Sequence, residues 1–418
     1  MVQLTVDIGG RPGVDCRGFC TYCYFKHAQD LPAFGCKYCL PFTKGCDYCL
    51  RSVQEKYSGF IPLRDVAEKI LGDLQMLTGD LTRITISGGG DPSCYPDFTD
   101  LIELLSSLEA PLHIGYTSGK GFDNPDIADF LIENGLQEIS FTVFAHDPEL
   151  RRSFMKDPTP EISLEILKRL AQNIEVYAAL VILPGVNDGP VLVDTIRWLE
   201  SIGVKGAILM RFANTYEQGL ILENAPVIPG QRIHTTDEFS ELVRQMKSIT
   251  RMRISGTPLF DPDLGSPFIL AHEADHLQLL PMITGHAGVI TGTIAGPFLN
   301  KVLSARGGEN LVITVEKEIA DLITIEDIKN LDLSALPETI IIPGRSFIHL
   351  SEAEQVLSAD GRQRMVIRGP DMLTADGETS MGMTRDEVLA GTGRISYPHY
   401  PHKPVGPVTG TLIFSHGL

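Results

Sequence analysis

Along residues 1–250, hydrophobic residues recur alternately with the spacing of a strand and with the spacing of a helix. Short β-branched runs typical of strands recur, and each is followed by a pattern typical of an amphipathic helix. The predicted strands are Leu4–Ile8, Arg83–Gly88, Leu112–Ser118, Glu138–Ala145, Val176–Leu183 and Gly206–Phe212. The predicted helices lie near residues 64–77, 97–108, 125–134, 161–173, 190–202 and 236–248.

This alternation predicts an α/β fold, because parallel strands need crossover connections and helices supply them. Right-handed crossovers would curve six such strands into a partial (β/α)6 barrel. Reactive residues are then expected at the carboxyl ends of the strands.

The pattern changes after about residue 255. Residues 256–300 are rich in Gly, Pro and Thr, and strands are predicted near Leu311–Val315 and Thr339–Ile342, with a helix near 351–358. We therefore predict two domains, residues 1–255 and a smaller α+β domain over residues 256–418. Residues 276–300 carry no charge but contain glycines and prolines, which favours buried or ligand-lining backbone over a membrane-spanning helix.

Charge and composition exclude some classes of function. The 418 residues include 35 Lys and Arg against 53 Asp and Glu, a net charge of −18, which argues against a nucleic-acid-binding protein. The opening residues MVQLTVDIGG lack the basic and apolar regions of a signal peptide. We expect a soluble cytoplasmic enzyme with neither a nucleic-acid nor a membrane partner.

Seven of the eight cysteines fall between positions 16 and 49, which indicates metal binding rather than a disulfide scaffold. Cys16, Cys20 and Cys23 form a C-x3-C-x2-C triplet after the first predicted strand. Three thiolates at this spacing can hold three corners of a [4Fe–4S] cluster and leave the fourth iron open. The alternative is a three-cysteine zinc site completed by His27.

A second cysteine group forms two C-x2-C knuckles within residues 34–52, at Cys36, Cys39, Cys46 and Cys49. Four sulfurs at this spacing suit a mononuclear iron or zinc ion, with a second iron–sulfur cluster as the alternative. The metal would fold a loop that has little apolar content. Cys94 stands apart as a predicted buried thiol, and His399 and His402 lie in an extended tail.

The cysteine triplet, the turn Ser87-Gly88-Gly89-Gly90-Asp91-Pro92 and the turn Pro184-Gly185-Val186-Asn187-Asp188 together resemble the radical S-adenosylmethionine (SAM) superfamily. The resemblance covers about residues 1–255. It implies that the open iron binds SAM, which is split to a 5′-deoxyadenosyl radical. It assigns SAM contacts to Tyr22, Gly88, Gly89, Gly90, Asp91, Thr142, Gly185 and Asn187. Asp91 stands where the superfamily usually has Glu, and Tyr116 is a candidate fourth contact of the cluster.

Taken as a whole, the chain is similar to the methanogenesis marker protein 10 family. This resemblance implies a cobalamin-dependent radical SAM C-methyltransferase that methylates an sp3 carbon of an arginine in methyl-coenzyme M reductase. It also implies an electron donor, an anaerobic cell and a cobalamin-binding C-terminal domain. Candidate cobalamin contacts are Gly292, Gly296, Gly307 and Gly308.

Three other functions stay open at this point. A cobalamin-free radical SAM peptide-modifying enzyme would use the four-cysteine loop as an auxiliary metal site and would bind no cobalt. An activase that places a glycyl radical on a partner would transfer no methyl group. A zinc-ribbon interaction module would not cleave SAM.

Overall fold

The computed structural model describes residues 2–26, 59–218, 226–257, 261–263, 273–280, 282–283, 285–307, 311–344, 346, 348–369 and 379–392. The chain divides into two compact units. Of the described residues, the first unit contains 2–26, 59–214 and 226–257, and the second contains 215–218 and those from 261 onward. Among the described helices, none combines the length and the apolar character needed to cross a bilayer.

The first unit is built on seven parallel strands whose order in the sheet is their order in the chain. The strands are β1 (Val2–Asp7), β2 (Leu81–Ser87), β3 (Leu112–Thr117), β4 (Leu136–Thr142), β5 (Glu175–Ile182), β6 (Gly206–Arg211) and β7 (Arg253–Thr257). The parallel sheet confirms the predicted α/β fold.

Six helices connect these strands. They are α1 (Leu63–Met76), α2 (Phe98–Ser106), α3 (Ile127–Glu133), α4 (Pro160–Ala171), α5 (Pro190–Ile202) and α6 (Thr236–Ser248). Each lies within two residues of its predicted position. In α2 the buried side chains are Phe98, Leu101, Ile102 and Leu105, the face that the apolar spacing predicts.

The seventh strand corrects the predicted count of six. β7 reads Arg-Ile-Ser-Gly-Thr, and Ile254 is its only strongly apolar residue, so the hydrophobic pattern gives little signal. The strand forms because its backbone pairs with β6 and because Ile254 and Ser255 are fully buried. The predicted domain boundary between residues 255 and 256 falls inside this strand.

The second unit has its own sheet of four parallel strands. They are β8 (Gly288–Gly292), β9 (Leu311–Val315), β10 (Thr339–Ile342) and β11 (Met365–Arg368), in the order β11-β10-β8-β9. Its helices are α7 (Ala274–Leu279), α8 (Gly296–Ala305), α9 (Ile325–Lys329), α10 (Leu350–Leu357) and α11 (Arg385–Thr392).

The predicted α+β class for this unit is therefore wrong. Helices separate its strands along the chain, and every strand pairing is parallel, which makes it an α/β unit. The error arose because β8 begins and ends with glycine and β11 is only four residues long, so neither was predicted. The positions of β9, β10 and α10 agree with the prediction to within one residue.

The strand order of the second unit contains one reversal. The chain goes from β8 outward to β9, then crosses to the other side of β8 to form β10 and β11. Such a doubly wound sheet opens a crevice at the carboxyl ends of the two strands where the winding changes direction, here β8 and β10. Side chains from all four strands, including Ile290, Val315, Ile340 and Val366, form one hydrophobic core.

Shorter turns complete the described structure. The 3₁₀ turns are Val14–Cys16, Tyr24–Lys26, Pro92–Cys94, Ala320–Leu322, Leu333–Ala335 and Thr379–Gly382. A one-turn helix, Pro148–Leu150, continues directly into a π-helical turn, Arg151–Met155.

Candidate functional site

The residues predicted to bind the cluster and SAM all lie at the ends of β1 to β5. Because the strands are parallel, these ends lie along the same edge of the sheet. The cysteine loop, residues 8–26, follows β1, and the turn from Gly88 to Asp91 follows β2. Tyr116 and Thr142 lie at the ends of β3 and β4, whereas Gly185 and Asn187 follow β5.

The cysteine loop presents three half-buried thiols, at Cys16, Cys20 and Cys23. The Gly13 N–H donates to Cys16 Sγ at 3.2 Å, and the Cys23 N–H donates to the Cys20 carbonyl at 3.1 Å. The backbone at Gly13 is left-handed, with φ of 77°, and a Cβ there would lie 2.1 Å from the Phe19 ring. Glycine is therefore needed at position 13 for the loop to close.

Burial raises the pKa of all three thiols. It is the main cause that raises the pKa of Cys16 to about 11, with the nearby Asp91 charge as the second cause, and it raises the pKa of Cys23 to about 12. Burial also raises the pKa of Cys20, against the opposing charge of Lys120. Since iron binds thiolates, metal binding at this loop must release protons.

Three thiols on one loop fit a cluster that has three protein ligands. Each thiolate of such a cluster binds a different iron, so the sulfurs need not converge on one point. Within the described part of the chain, no three His, Cys, Asp or Glu side chains are grouped closely enough to hold a single metal ion. The three described thiols therefore fit the predicted iron–sulfur cluster. His27 and the second cysteine group, Cys36, Cys39, Cys46 and Cys49, lie outside the described residues.

The Gly88–Gly90 turn packs directly on the cysteine loop. The Gly89 and Gly90 N–H groups donate to the Gly9 carbonyl at 2.8 and 3.1 Å, and a Cβ on Gly88 would lie 2.4 Å from that carbonyl oxygen. These glycines therefore let the end of β2 approach the end of β1 closely. Their contact with the SAM amino group stays a prediction.

The Asp91 carboxylate is buried and accepts five hydrogen bonds from the chain. Oδ1 accepts from the Ser93 N–H at 3.0 Å, the Ser93 hydroxyl at 2.7 Å and the Thr117 hydroxyl at 2.6 Å. Oδ2 accepts from the Ser118 N–H at 2.9 Å and from the Ser118 hydroxyl. Asp91 thus ties the end of β2 to the end of β3, and its predicted SAM contact would have to compete with these donors.

Tyr22 begins an aromatic stack. Its ring stacks on Phe144 with centroids 5.1 Å apart, and Phe144 stacks on Phe154 at 5.2 Å. Phe144 has a φ of 65°, an unfavourable backbone conformation for a bulky residue. Tyr22 is 5% exposed, so it forms a packed support beside Cys20 and Cys23.

Asn187 holds the strained Phe144 backbone in place. Its Nδ2 group donates to the carbonyls of Phe144 and Val181, both at 2.9 Å, and its Oδ1 accepts from the Leu183 N–H at 2.7 Å. The side chain is fully buried. Asn187 thus joins the end of β5 to the segment after β4, and its role toward SAM is a prediction that these contacts do not test.

Three other predicted SAM and cluster residues are less enclosed. Gly185 has a φ of 78°, and a Cβ there would have no heavy atom within 4 Å outside its chain neighbours. Its N–H donates to the Asp188 carboxylate at 2.8 Å. Thr142 and Tyr116 are half-buried. Of these three positions, Gly185 alone has open space around a built Cβ among the described residues.

Sequence reasoning missed three buried charges at this edge, Lys120, Arg151 and Asp157. The Arg151 guanidinium pairs with Asp157 at 2.8 Å and donates to the carbonyls of Ser118 at 2.9 Å and Val143 at 2.7 Å. Both partners of this pair are fully enclosed. Arg151 therefore ties the ends of β3 and β4 together. No spacing in the sequence marked it, and the only clue to Lys120 is its place in the Ser-Gly-Lys-Gly run after a strand.

In the second unit, the predicted cobalamin glycines contact the chain itself. A Cβ on Gly292 would lie 2.6 Å from the Glu318 carbonyl oxygen, and a Cβ on Gly296 would lie 2.3 Å from Thr314 Cγ2. Gly307 has a φ of 72°, and Gly308 lies outside the described residues. Beside them, Thr291 is 2% exposed, and its buried hydroxyl has no hydrogen-bond partner in the described part of the chain. Thr291 is one residue before the carboxyl end of β8, one of the two strands between which the winding reverses.

Residues 11–199 match the model of the radical SAM superfamily. The matched region includes the cysteine triplet and both the Gly88–Asp91 and the Gly185–Asn187 turns. This part of the chain is similar to radical SAM superfamily domains, and that family implies a [4Fe–4S] cluster and SAM. No curated protein shows significant similarity to the chain.

Solved structures with similar folds include SuiB from Streptococcus suis, at 12% identity and a TM-score of 0.34, over 59% of this chain and 45% of that one. A radical SAM methyltransferase from Sphaerobacter thermophilus matches at 14% identity and a TM-score of 0.37, over 61% of this chain and 65% of that one. Coproporphyrinogen III oxidase from Escherichia coli matches at 15% identity and a TM-score of 0.38, over 67% of this chain and 59% of that one. Less than two thirds of each of these chains is covered, and likenesses this distant carry no inference about activity.

Proposed function

We propose that this protein is a cobalamin-dependent radical SAM C-methyltransferase that methylates an unactivated sp3 carbon of an arginine residue in methyl-coenzyme M reductase. The observation that carries the radical SAM part is the superfamily match over residues 11–199, which contains three half-buried thiols on the loop after β1. The substrate and the methyl transfer rest only on the resemblance of the sequence to the methanogenesis marker protein 10 family.

In this proposal the chain's own residues form a rigid support around the reacting groups. Cys16, Cys20 and Cys23 would hold the [4Fe–4S] cluster. The ties made by Asp91 and Asn187 fix the strand ends on either side of it. When bound, the cluster and SAM supply hydrogen abstraction from an unactivated carbon, and cobalamin supplies the methyl group.

Two features of the second unit fit cobalamin. Its strand order reverses between β8 and β10, and in open parallel sheets ligands bind outside the carboxyl ends of the strands at such a reversal. The Thr291 hydroxyl lies next to the carboxyl end of β8 and has no hydrogen-bond partner among the described residues, and a buried hydroxyl without a partner is costly. We propose that the loops after β8 and β10 contact cobalamin, with Gly292 and Gly296 shaping the first of them.

The substrate side of the proposal rests on charge. Carboxylates bind a guanidinium group through paired hydrogen bonds, and the chain carries a net charge of −18. We propose that acidic side chains receive the target arginine. The mononuclear iron or zinc in the four-cysteine loop and a separate electron donor belong to the same proposal.

A peptide assay tests this function. An arginine peptide of the substrate is incubated anaerobically with reconstituted protein, a reductant, methylcobalamin and SAM labelled with a trideuterated methyl group. We expect peptide methylated at carbon and deoxyadenosine, with deuterium appearing in the peptide once the unlabelled cobalamin methyl has turned over. Cys20→Ala should abolish both products, whereas Cys94→Ala, which alters a thiol outside the triplet, should keep both.

The second candidate function is a cobalamin-free radical SAM peptide modifier. It is favoured by the contacts of Gly292 and Gly296, which are with the chain itself. Deoxyadenosine without peptide methylation, in protein that binds no cobalt, would support this candidate and contradict the methyltransferase.

A further inference from the structure

Lys120 is a buried cation that lies against the cysteine loop. The residue follows β3 and is 1% exposed. Its Nζ donates to the carbonyls of Gly18 and Met155, both at 2.9 Å, and lies 4.0 Å from Cys20 Sγ. Gly18 lies between Cys16 and Cys20, so the ammonium contacts the backbone of the triplet and one of its thiols.

No carboxylate of the described residues lies within ion-pair distance of the Lys120 ammonium. Among the described ion pairs, the neighbouring Arg151 is matched with Asp157, whereas none includes Lys120. Burying an unpaired ammonium is costly, so the chain keeps this charge at a free-energy cost. An anion that forms at Cys20 would offset that cost.

The Met155 carbonyl links the lysine to the thiol. It ends the π-helical turn Arg151–Met155, where the last carbonyls have no partner within the turn. This oxygen accepts from Lys120 Nζ and, at 3.5 Å, from the Cys20 S–H. A metal-bound Cys20 has no proton to donate, and Lys120 then remains as the donor to Met155 and as a cation beside the thiolate.

The segment that contains Lys120, residues 120–123, also contacts the cysteine loop through Arg17. Arg17, between Cys16 and Gly18, donates to both oxygens of Asp123 at 2.6 and 2.8 Å and to the Lys120 carbonyl at 3.0 Å. Residues 120–123 therefore hold the C-x3-C portion of the loop by its backbone and by one ion pair. This geometry fixes the distance between Lys120 and Cys20.

We propose that Lys120 is a positioning residue that compensates the charge of the Cys20 thiolate and raises the midpoint potential of the [4Fe–4S] cluster. This inference rests on the proposed cluster site. Reduction adds one negative charge to the cluster, and a buried cation stabilises the more negative form in a low-dielectric environment. Removing the cation should therefore make reduction harder.

Three variants separate charge from packing. Lys120→Gln removes the charge but keeps an N–H donor, and Lys120→Arg restores the charge. Lys156→Gln is the matched control, because Lys156 also backs the loop at Gly18 but is exposed. Each protein is reconstituted with iron and sulfide, and its cluster is titrated anaerobically against potential by electron paramagnetic resonance, without SAM. Iron and sulfide are counted on the same desalted samples.

We expect Lys120→Gln to have a more negative midpoint potential than the wild type, with Lys120→Arg and Lys156→Gln near the wild-type value. Loss of iron from the Gln variant alone, rescued by Arg, would also support the charge role. The inference is overturned if the Gln variant keeps the wild-type potential, if Gln and Arg shift it equally, or if both lose iron equally.

The wild-type sample separates this inference from the proposed function. If the wild-type protein forms no four-iron cluster, the proposed function fails and the Lys120 inference with it. If the wild-type cluster forms and only the expected shift is absent, the inference alone fails.

Discussion

The strand ends of the two units differ in how their buried polar groups are paired. In the first unit, Asp91 and Asn187 use their side chains fully on neighbouring strand ends, and Arg151 does so with Asp157 and with carbonyls. In the second unit, Thr291 near the end of β8 has a buried hydroxyl for which the described residues supply no partner. The first edge is thus tied together by these charged and amide side chains, although the Tyr22 hydroxyl there, like the hydroxyl of Thr291, has no hydrogen-bond partner among the described residues.

Strands and helices alternate along the chain in both units, but the order of the strands within the sheet differs between them. The first sheet keeps chain order, so its strand ends follow one another along a single edge. The second reverses once, between β8 and β10, and so marks one place for a ligand. Strand order is set by long-range pairing, which local hydrophobic periods do not report.

Removing the Asp91 carboxylate should have the largest effect on the first edge. Asp91→Ala leaves two hydroxyls of β3 and its following residue, the Ser93 hydroxyl and two N–H groups without their acceptor, so we expect a loss of about 3–4 kcal/mol in the free energy of unfolding. Trp198, the only tryptophan, lies in α5 and reports on the first unit by fluorescence during urea unfolding. Asp100→Ala, which removes an exposed side chain of α2, is the control. A loss under 1 kcal/mol for Asp91→Ala would contradict the account of this edge.

The pH dependence of the first unit should come next in size. Burial lowers the pKa of His113 on β3 to about 3, with the Arg83 charge as a second cause. The unfolded chain takes up a proton near the ordinary pKa of about 6.5 and the folded chain does not, so stability is full above that pH and falls as the pH is lowered toward 3. Between pH 7.5 and pH 5, we expect the wild type to lose about 2 kcal/mol more than His113→Gln does.

The same Trp198 fluorescence measures this difference. An equal loss of stability in the wild type and in His113→Gln over this pH range would show that His113 does not remain neutral in the folded protein. The pH profile would then have to come from other groups.

The smallest effect is expected in the second unit and has the opposite sign. Thr291→Val removes a buried hydroxyl that has no partner, so the cofactor-free protein should gain about 1 kcal/mol, or roughly 2–4 °C in the unfolding temperature of the second unit. Differential scanning calorimetry measures it. Thr314→Val, on the neighbouring strand with an exposed side chain, should change little. Destabilisation by Thr291→Val would mean that the hydroxyl is satisfied, and the contrast between the units would disappear.

The sequence predicted the elements with strong local signals. The helix α5 begins at Pro190, and its buried residues Leu192, Ile196 and Leu199 follow the helical spacing, so both ends were predicted to the residue. The strand β7 was missed because Ser255 and Gly256 interrupt it, and β8 was missed because it begins and ends with glycine. Their formation depends on backbone pairing with β6 and with β9 and β10.

At the candidate site, too, residues in local motifs could be predicted from the sequence, and residues placed by long-range contacts could not. The cysteine triplet and the two glycine turns could be found from spacing within the sequence. Lys120 could not, because it contacts Cys20 from 100 residues away. Nor could the five donors around Asp91, three of which come from residues at the end of β3.

The central claim is that one chain binds a three-thiolate [4Fe–4S] cluster and cobalamin. Anaerobic reconstitution with iron, sulfide and hydroxocobalamin, followed by metal and sulfide counts on the desalted protein, tests it most directly. We predict about one cobalt and roughly four sulfides per chain, with iron slightly in excess of four for a separate mononuclear site. Iron and sulfide without cobalt would contradict the methyltransferase, and the absence of sulfide would contradict the cluster itself.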